Sequence, residues 1–150
     1  MQKLIVLIFF LITSCGYQPL YKNVKDNDIF KINEVELIGN QKINEKIFST
    51  IPFVLDKKNK KFNKLFIKSK KNIIETSKNS KGQVTSYRTI VDVNFLLKDK
   101  NDKILKSKTI NKDFSYEIDE NKFKFKEYQM KVENNLIQII IEEILVYLNY

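Results

Sequence analysis

The chain has no histidine, one cysteine, three glycines, two prolines and a single arginine among its 150 residues. Without histidine there is no His-based nucleophile triad and no His-ligated metal. With Cys15 alone, no disulfide closes within the chain. Gly16, Gly39 and Gly82 are too few and too scattered for a phosphate-cradling loop or a dinucleotide fingerprint. The acidic pair Glu142-Glu143 consists of neighbours, which point about 100° apart on a helix and do not face each other. Nothing here argues for catalysis, and the expectation is a protein that is not an enzyme and holds no cofactor or metal. The scarcity of arginine bears on charge. Net charge is +9, which ordinarily points to a polyanionic partner. Yet Arg88 stands alone while lysine, isoleucine and asparagine abound, the mixture that A/T-rich coding produces without selection for a ligand. Most lysines are therefore expected on a solvated surface.

The lone cysteine sits in FLITSCGYQPLY. Before it, Met1 to Lys3 give a short basic start, and Leu4 to Ile12 are unbroken apolar residues. As a helix they reach about 14 Å, half of a ~30 Å hydrocarbon core, so the run is a signal peptide rather than a span. It ends Ile12-Thr13-Ser14-Cys15, which resembles a lipobox: cleavage leaves residues 1–14 behind and makes Cys15 the first mature residue and the lipid attachment site. Diacylglycerol and an N-acyl chain on Cys15 supply the two or more chains that stable anchoring needs. Gly16, rather than Asp, after the cysteine favours the outer membrane. Nucleic acid is thus the wrong polyanion for this exported chain, whose mature charge is +8 once Lys3 leaves with the signal.

Residues 15–28 are polar and aperiodic, a tether. From residue 29 to 150 the patterning is that of one α+β domain. Val35 and Leu37 alternate with glutamates in a short strand closed by Gly39-Asn40. Ile43, Ile47, Ile51 and Leu55 fall four apart as on an amphipathic helix, with Pro52 predicting a kink or an early end. Leu65 to Ser77 reads as a strand, and Asn79 to Gly82 as a turn. In the next strand Tyr87, Thr89, Val91, Val93, Phe95 and Leu97 share one face, the mark of an antiparallel sheet covered on one side. Asp99 to Asp102 turns the chain into a partner strand, Lys103 to Ile118, whose alternation is irregular. Val132, Leu136, Ile140, Ile144 and Leu148 then stripe a final helix starting near Asn121. The expected architecture is a two-layer sandwich: a mostly antiparallel sheet of about four strands with two helices packed on one face.

Cys15-Gly16-Tyr17-Gln18-Pro19-Leu20-Tyr21, the turn and strand start Gly82 to Arg88, and Phe114-Ser115-Tyr116 before the long helix together resemble the lipopolysaccharide-assembly lipoprotein family LptE, in its alphaproteobacterial form. The resemblance implies an outer-membrane lipoprotein facing the periplasm that plugs the lumen of the β-barrel LptD, assists its assembly and takes part in lipopolysaccharide transport. Lysine suits lipid A phosphates as a point charge. Lys78 and Lys81 near the Gly82 turn, with Lys122, Lys124 and Lys126 at the start of the last helix, are the candidate lipopolysaccharide contacts. Arg88, on the polar face of the clearest strand, is a candidate for a bidentate ion pair or a partner contact. Two alternatives stand beside this reading. One is an accessory or pilot lipoprotein of another outer-membrane secretion or barrel-assembly complex. The other is a stand-alone lipid- or glycan-binding lipoprotein, which would need a deep pocket.

Overall fold

The computed structural model describes residues 30–58 and 63–149. The signal peptide, the tether and Cys15 lie outside the described residues. Seven elements follow in order: β1 (Phe30–Gly39), α1 (Gln41–Thr50), β2 (Phe53–Leu55), β3 (Asn63–Lys78), β4 (Val84–Lys98), β5 (Ile104–Glu117) and α2 (Lys122–Asn149). The five strands form one sheet in the order β2-β1-β3-β4-β5. β1 runs parallel to both β2 and β3, while β3, β4 and β5 form antiparallel hairpins with long ladders.

The α+β expectation holds, with one strand more than the four anticipated. The added strand is β2. Asn40 caps α1, its Oδ1 accepting the Ile43 N–H at 3.1 Å. The helix ends at Thr50, because Pro52 has no N–H to continue it, and Phe53 to Leu55 turn into a strand beside β1. Leu55, in phase with the helical stripe, therefore sits in β2 and is half exposed. α1 is the crossover that parallel strands require.

Both helices pack on the same face of the sheet, and one core joins them. Ile43 and Ile47 of α1, Leu65 and Ile67 of β3, Val91, Val93 and Phe95 of β4, and Ile137, Ile140 and Ile144 of α2 are all essentially without solvent exposure. Burying each such side chain stabilises by about 1.5–3 kcal/mol. Among the described residues no helix is long and apolar enough to cross a membrane.

The irregular alternation of β5 has a physical cause. Lys106, Lys108 and Lys112 pair in register with Leu97, Phe95 and Val91, so they lie on the helix-covered side of the sheet. There they strap α2 to the sheet edge. Lys106 Nζ donates to the carbonyls of Tyr147 at 2.9 Å and Leu148 at 3.1 Å, capping the helix C-terminus. Glu143 receives Lys108 at 3.0 Å and Lys112 at 2.7 Å. On the other flank Glu133 is held by Lys71 at 2.8 Å and Lys42 at 3.5 Å. These lysines hold the helices to the sheet, while most of the other described lysines lie on the exposed surface, as expected.

Candidate functional site

The two chain segments carrying the candidate lysines lie at the same end of the sheet. The β3–β4 turn is built on Asn79, whose Oδ1 accepts the N–H groups of Lys81 and Gln83, both at 3.0 Å. Gly82 supplies the positive φ, +76°, that this turn requires. The β5–α2 connection is tied beside it, the Ile118 N–H donating to the Thr85 carbonyl at 3.0 Å. Asn121 then caps α2 by accepting the N–H groups of Phe123 at 3.0 Å and Lys124 at 3.1 Å.

Within that shared end the lysines are dispersed. Lys78 pairs with Glu75 at 3.1 Å, an exposed i,i+3 bridge. Lys81 is exposed on the turn. Lys122 and Lys126, four apart, share one side of α2, whereas Lys124 projects about 200° away and lines a groove between α2 and β5. Lysines in a helix's first turns oppose its dipole, and α2 has no acidic residue there to offset them. Helix stability does not explain their placement.

Arg88 makes an intramolecular contact. Its Nε donates to Ser115 Oγ at 3.0 Å and lies 3.5 Å from Asp113 Oδ2, so it clips β4 to β5 through one nitrogen rather than as a two-pronged fork. With both partners nearly half exposed, the pair contributes about 0.2–1 kcal/mol.

The contact belongs to a larger feature. The sheet face turned away from the helices has no layer over it among the described residues. Across β3, β4 and β5 it carries rows of polar residues in register: Lys68, Asn94 and Thr109, then Lys70, Asp92 and Asn111. Thr109 Oγ1 donates to Asn94 Oδ1 at 2.7 Å and Asn111 Nδ2 to Asp92 Oδ1. Phe66 and its neighbour Leu96, with Ile74 and Ile90 further along, interrupt this face, and Lys98 covers the Phe66 ring at 5.1 Å. The face is broad and mixed, with polar rows that are partly hydrogen-bonded across strands and apolar side chains between them.

The helix-side groove was not foreseen. It holds about 780 Å³ at the N-terminal half of α2 and continues as an apolar recess of about 220 Å³ lined by Phe114, Tyr128, Val132 and Ile139. It is open rather than the deep enclosed pocket that a stand-alone lipid or glycan binder would need. At its base Tyr116 hydrogen-bonds Thr89 at 2.9 Å and Gln129 at 3.1 Å, and its ring packs against Tyr87, Phe125 and Tyr128. The one signal in the sequence was Phe114, in phase with the buried Ile110 and Tyr116 yet beyond the start of the α2 stripe at Val132.

Neither a protein-family model nor a curated protein sequence matches the chain. Solved structures do. Rare lipoprotein B from Shewanella oneidensis aligns with a TM-score of 0.51 at 17% identity, covering 75% of this chain and 91% of that one. The chain has the fold of rare lipoprotein B. A minor lipoprotein from Acinetobacter baumannii aligns at 0.54 with 13% identity, over 77% and 89% of the two chains. Lipoprotein B from Nitrosomonas europaea aligns at 0.55 with 11% identity, over 79% and 83%. All three carry the name lipoprotein. At these identities the likeness is one of fold. In this lipoprotein fold the candidate lysines belong to the turn and helix end, and Arg88 to the open sheet face.

Proposed function

We propose that this chain is an outer-membrane lipoprotein, anchored through Cys15, that plugs and helps assemble an LptD-type β-barrel and takes part in lipopolysaccharide transport. The observation that carries the reading is the uncovered sheet face. Barrel lumens are lined by polar residues. A face whose asparagine, aspartate, threonine and arginine side chains are already hydrogen-bonded across strands, with Lys68 and Lys70 beside them, suits such a polar lumen. The rare lipoprotein B fold supports the same reading. In this proposal the chain is not an enzyme and carries no cofactor beyond the acyl chains on Cys15. Lys81, Lys122, Lys124 and Lys126, with Lys78 beside them, are the lipopolysaccharide contacts.

The test is a tagged pull-down from detergent-solubilised outer membranes, with partners identified by mass spectrometry, comparing wild type with Cys15→Ala. Recovery of a large β-barrel at near-equal stoichiometry supports the proposal. A secretion or peptidoglycan complex in its place transfers the chain to the accessory-lipoprotein class. The chain recovered alone leaves a stand-alone binder.

A further inference from the structure

We propose that the β5 edge from Asn111 to Glu117 receives an extended peptide segment of another protein, added to the sheet as a sixth strand with its apolar side chains seated in the groove under α2. The inference stands apart from the barrel reading.

Among the described residues β5 is an edge strand whose sole neighbour in the sheet is β4. Alternate residues of β5 therefore aim their backbone N–H and C=O groups away from the sheet. Ser107 sets the phase: its N–H donates to Tyr147 Oη at 3.1 Å, and its carbonyl accepts the Tyr147 hydroxyl at 3.0 Å. The ladder with β4 runs without a register shift from Lys106 to Glu117, so Asn111, Asp113 and Ser115 are in step with Ser107. One end of the edge is thus closed by a tyrosine. Beyond the Lys112–Glu143 bridge, the outward groups of Asp113 and Ser115 have no partner among the described residues. Natural sheets blunt or cover long edges, and among the described residues this one is covered over only part of its length.

The uncovered part is where the groove lies. Phe114, Tyr128 and Ile139 stand 47%, 44% and 46% exposed beside it and form an apolar patch on that side of the edge. Two features select the occupant. Outward donor–acceptor pairs repeating about every 6.8 Å match a peptide backbone, whereas an acyl chain offers nothing to bond. The groove as a whole is not a phosphate-type site: it is lined by Lys124 and Lys131 against Glu117, Asp119 and Glu127, one net negative charge on a chain of +9. Lys131 is moreover engaged by Glu127 at 3.0 Å. The fitting ligand is a segment with apolar residues at alternate positions and a basic residue at the end beside Glu117 and Asp119.

The test uses the full lipidated protein in detergent and a fluorescein-labelled peptide of sequence Lys-Val-Thr-Val-Ser-Val-Thr. Binding is followed by anisotropy and backbone protection by hydrogen exchange. Saturable binding is expected, with slowed exchange confined to residues 111–117. Phe114→Ser, which removes an apolar anchor, and Ser115→Pro, which removes an outward N–H while sparing the β4 ladder, should each weaken it about tenfold or more. A peptide with proline in place of its central valine should not compete. The proposal is overturned if neither substitution changes binding, or if the peptide leaves residues 111–117 unprotected. It is equally overturned if phosphatidylglycerol vesicles give that protection, or if the protein alone gives it in a concentration-dependent way through self-pairing.

Discussion

Gly39 and Gly82 both have positive φ, +92° and +76°, yet alanine at the two positions should behave differently. At Gly82 a Cβ meets nothing within 4 Å, so Gly82→Ala costs only the left-handed backbone, about 1–2 kcal/mol. At Gly39 the same atom would fall 2.0 Å from the Ser69 carbonyl oxygen. That carbonyl accepts the Asn40 N–H at 3.1 Å, and Ser69 Oγ donates to the Asn40 carbonyl at 3.1 Å, at the point where β1 leaves β3 and turns into α1. Backbone meets backbone there, so relief requires prising β1 from β3 and losing both bonds, each contributing about 0.5–1.5 kcal/mol. Gly39→Ala should therefore cost about 2–5 kcal/mol, a large share of the ~5–15 kcal/mol that holds a domain. Urea unfolding followed by circular dichroism measures both variants. The Gly39→Ala midpoint should lie below that of Gly82→Ala by on the order of 1 M. Equal midpoints would refute the claim that the Gly39–Ser69 contact is tight.

Three further outcomes are expected. In Glu133, burial pushes the carboxyl up, but hydrogen bonds and charge from Lys71 and Lys42 outweigh it, and in Glu143 the Lys112 and Lys108 bonds act alike, so both sit below the ordinary value of about 4.5. Their contribution is complete above that unfolded value and disappears as pH falls through the lower folded one; Glu133→Gln and Glu143→Gln should each flatten the loss of urea stability between pH 5 and pH 3. Tyr116→Phe leaves the Thr89 hydroxyl, 1% exposed, without its partner and should cost about 1–3 kcal/mol, which Thr89→Val in the same chain should partly restore in a double-mutant cycle. Tyr147→Phe unblocks the Ser107 N–H and carbonyl, so sedimentation velocity should detect edge-to-edge association that the parent chain does not show.

Much of the fold was legible because its largest elements follow simple periods. β4 alternates over its helix-facing side from Thr89 to Leu97, and α2 carries a four-residue apolar repeat, so both were readable. β2 was not, since three residues give no period and Leu55 happened to extend the α1 stripe. Parallel pairing of β1 was equally hidden, because side-chain alternation says nothing about strand direction. β5 looked irregular because its inward lysines find their counter-charges on α2, a helix met only later in the sequence. At the candidate site, turn chemistry placed Lys78 and Lys81, and the start of the helix period placed Lys122 to Lys126. The groove stayed invisible: Phe114 and Tyr128 have the composition of core, and only the overhang of α2 leaves them open.

Two of the glutamates of α2 solve an ambiguity that its apolar residues create. A stripe of Val132, Leu136, Ile140, Ile144 and Leu148 is almost unchanged by sliding the helix one turn, about 5.4 Å, along the sheet. Greasy contact alone would leave several near-equivalent dockings. Glu133 reaches Lys71 and Lys42 on one flank, and Glu143 reaches Lys108 and Lys112 on the other. A one-turn slide breaks both sets together and leaves a mostly buried carboxylate facing no cation. The lysines here work as index marks on a ruler, and a chain written largely in isoleucine and lysine can still specify a single position for its longest helix.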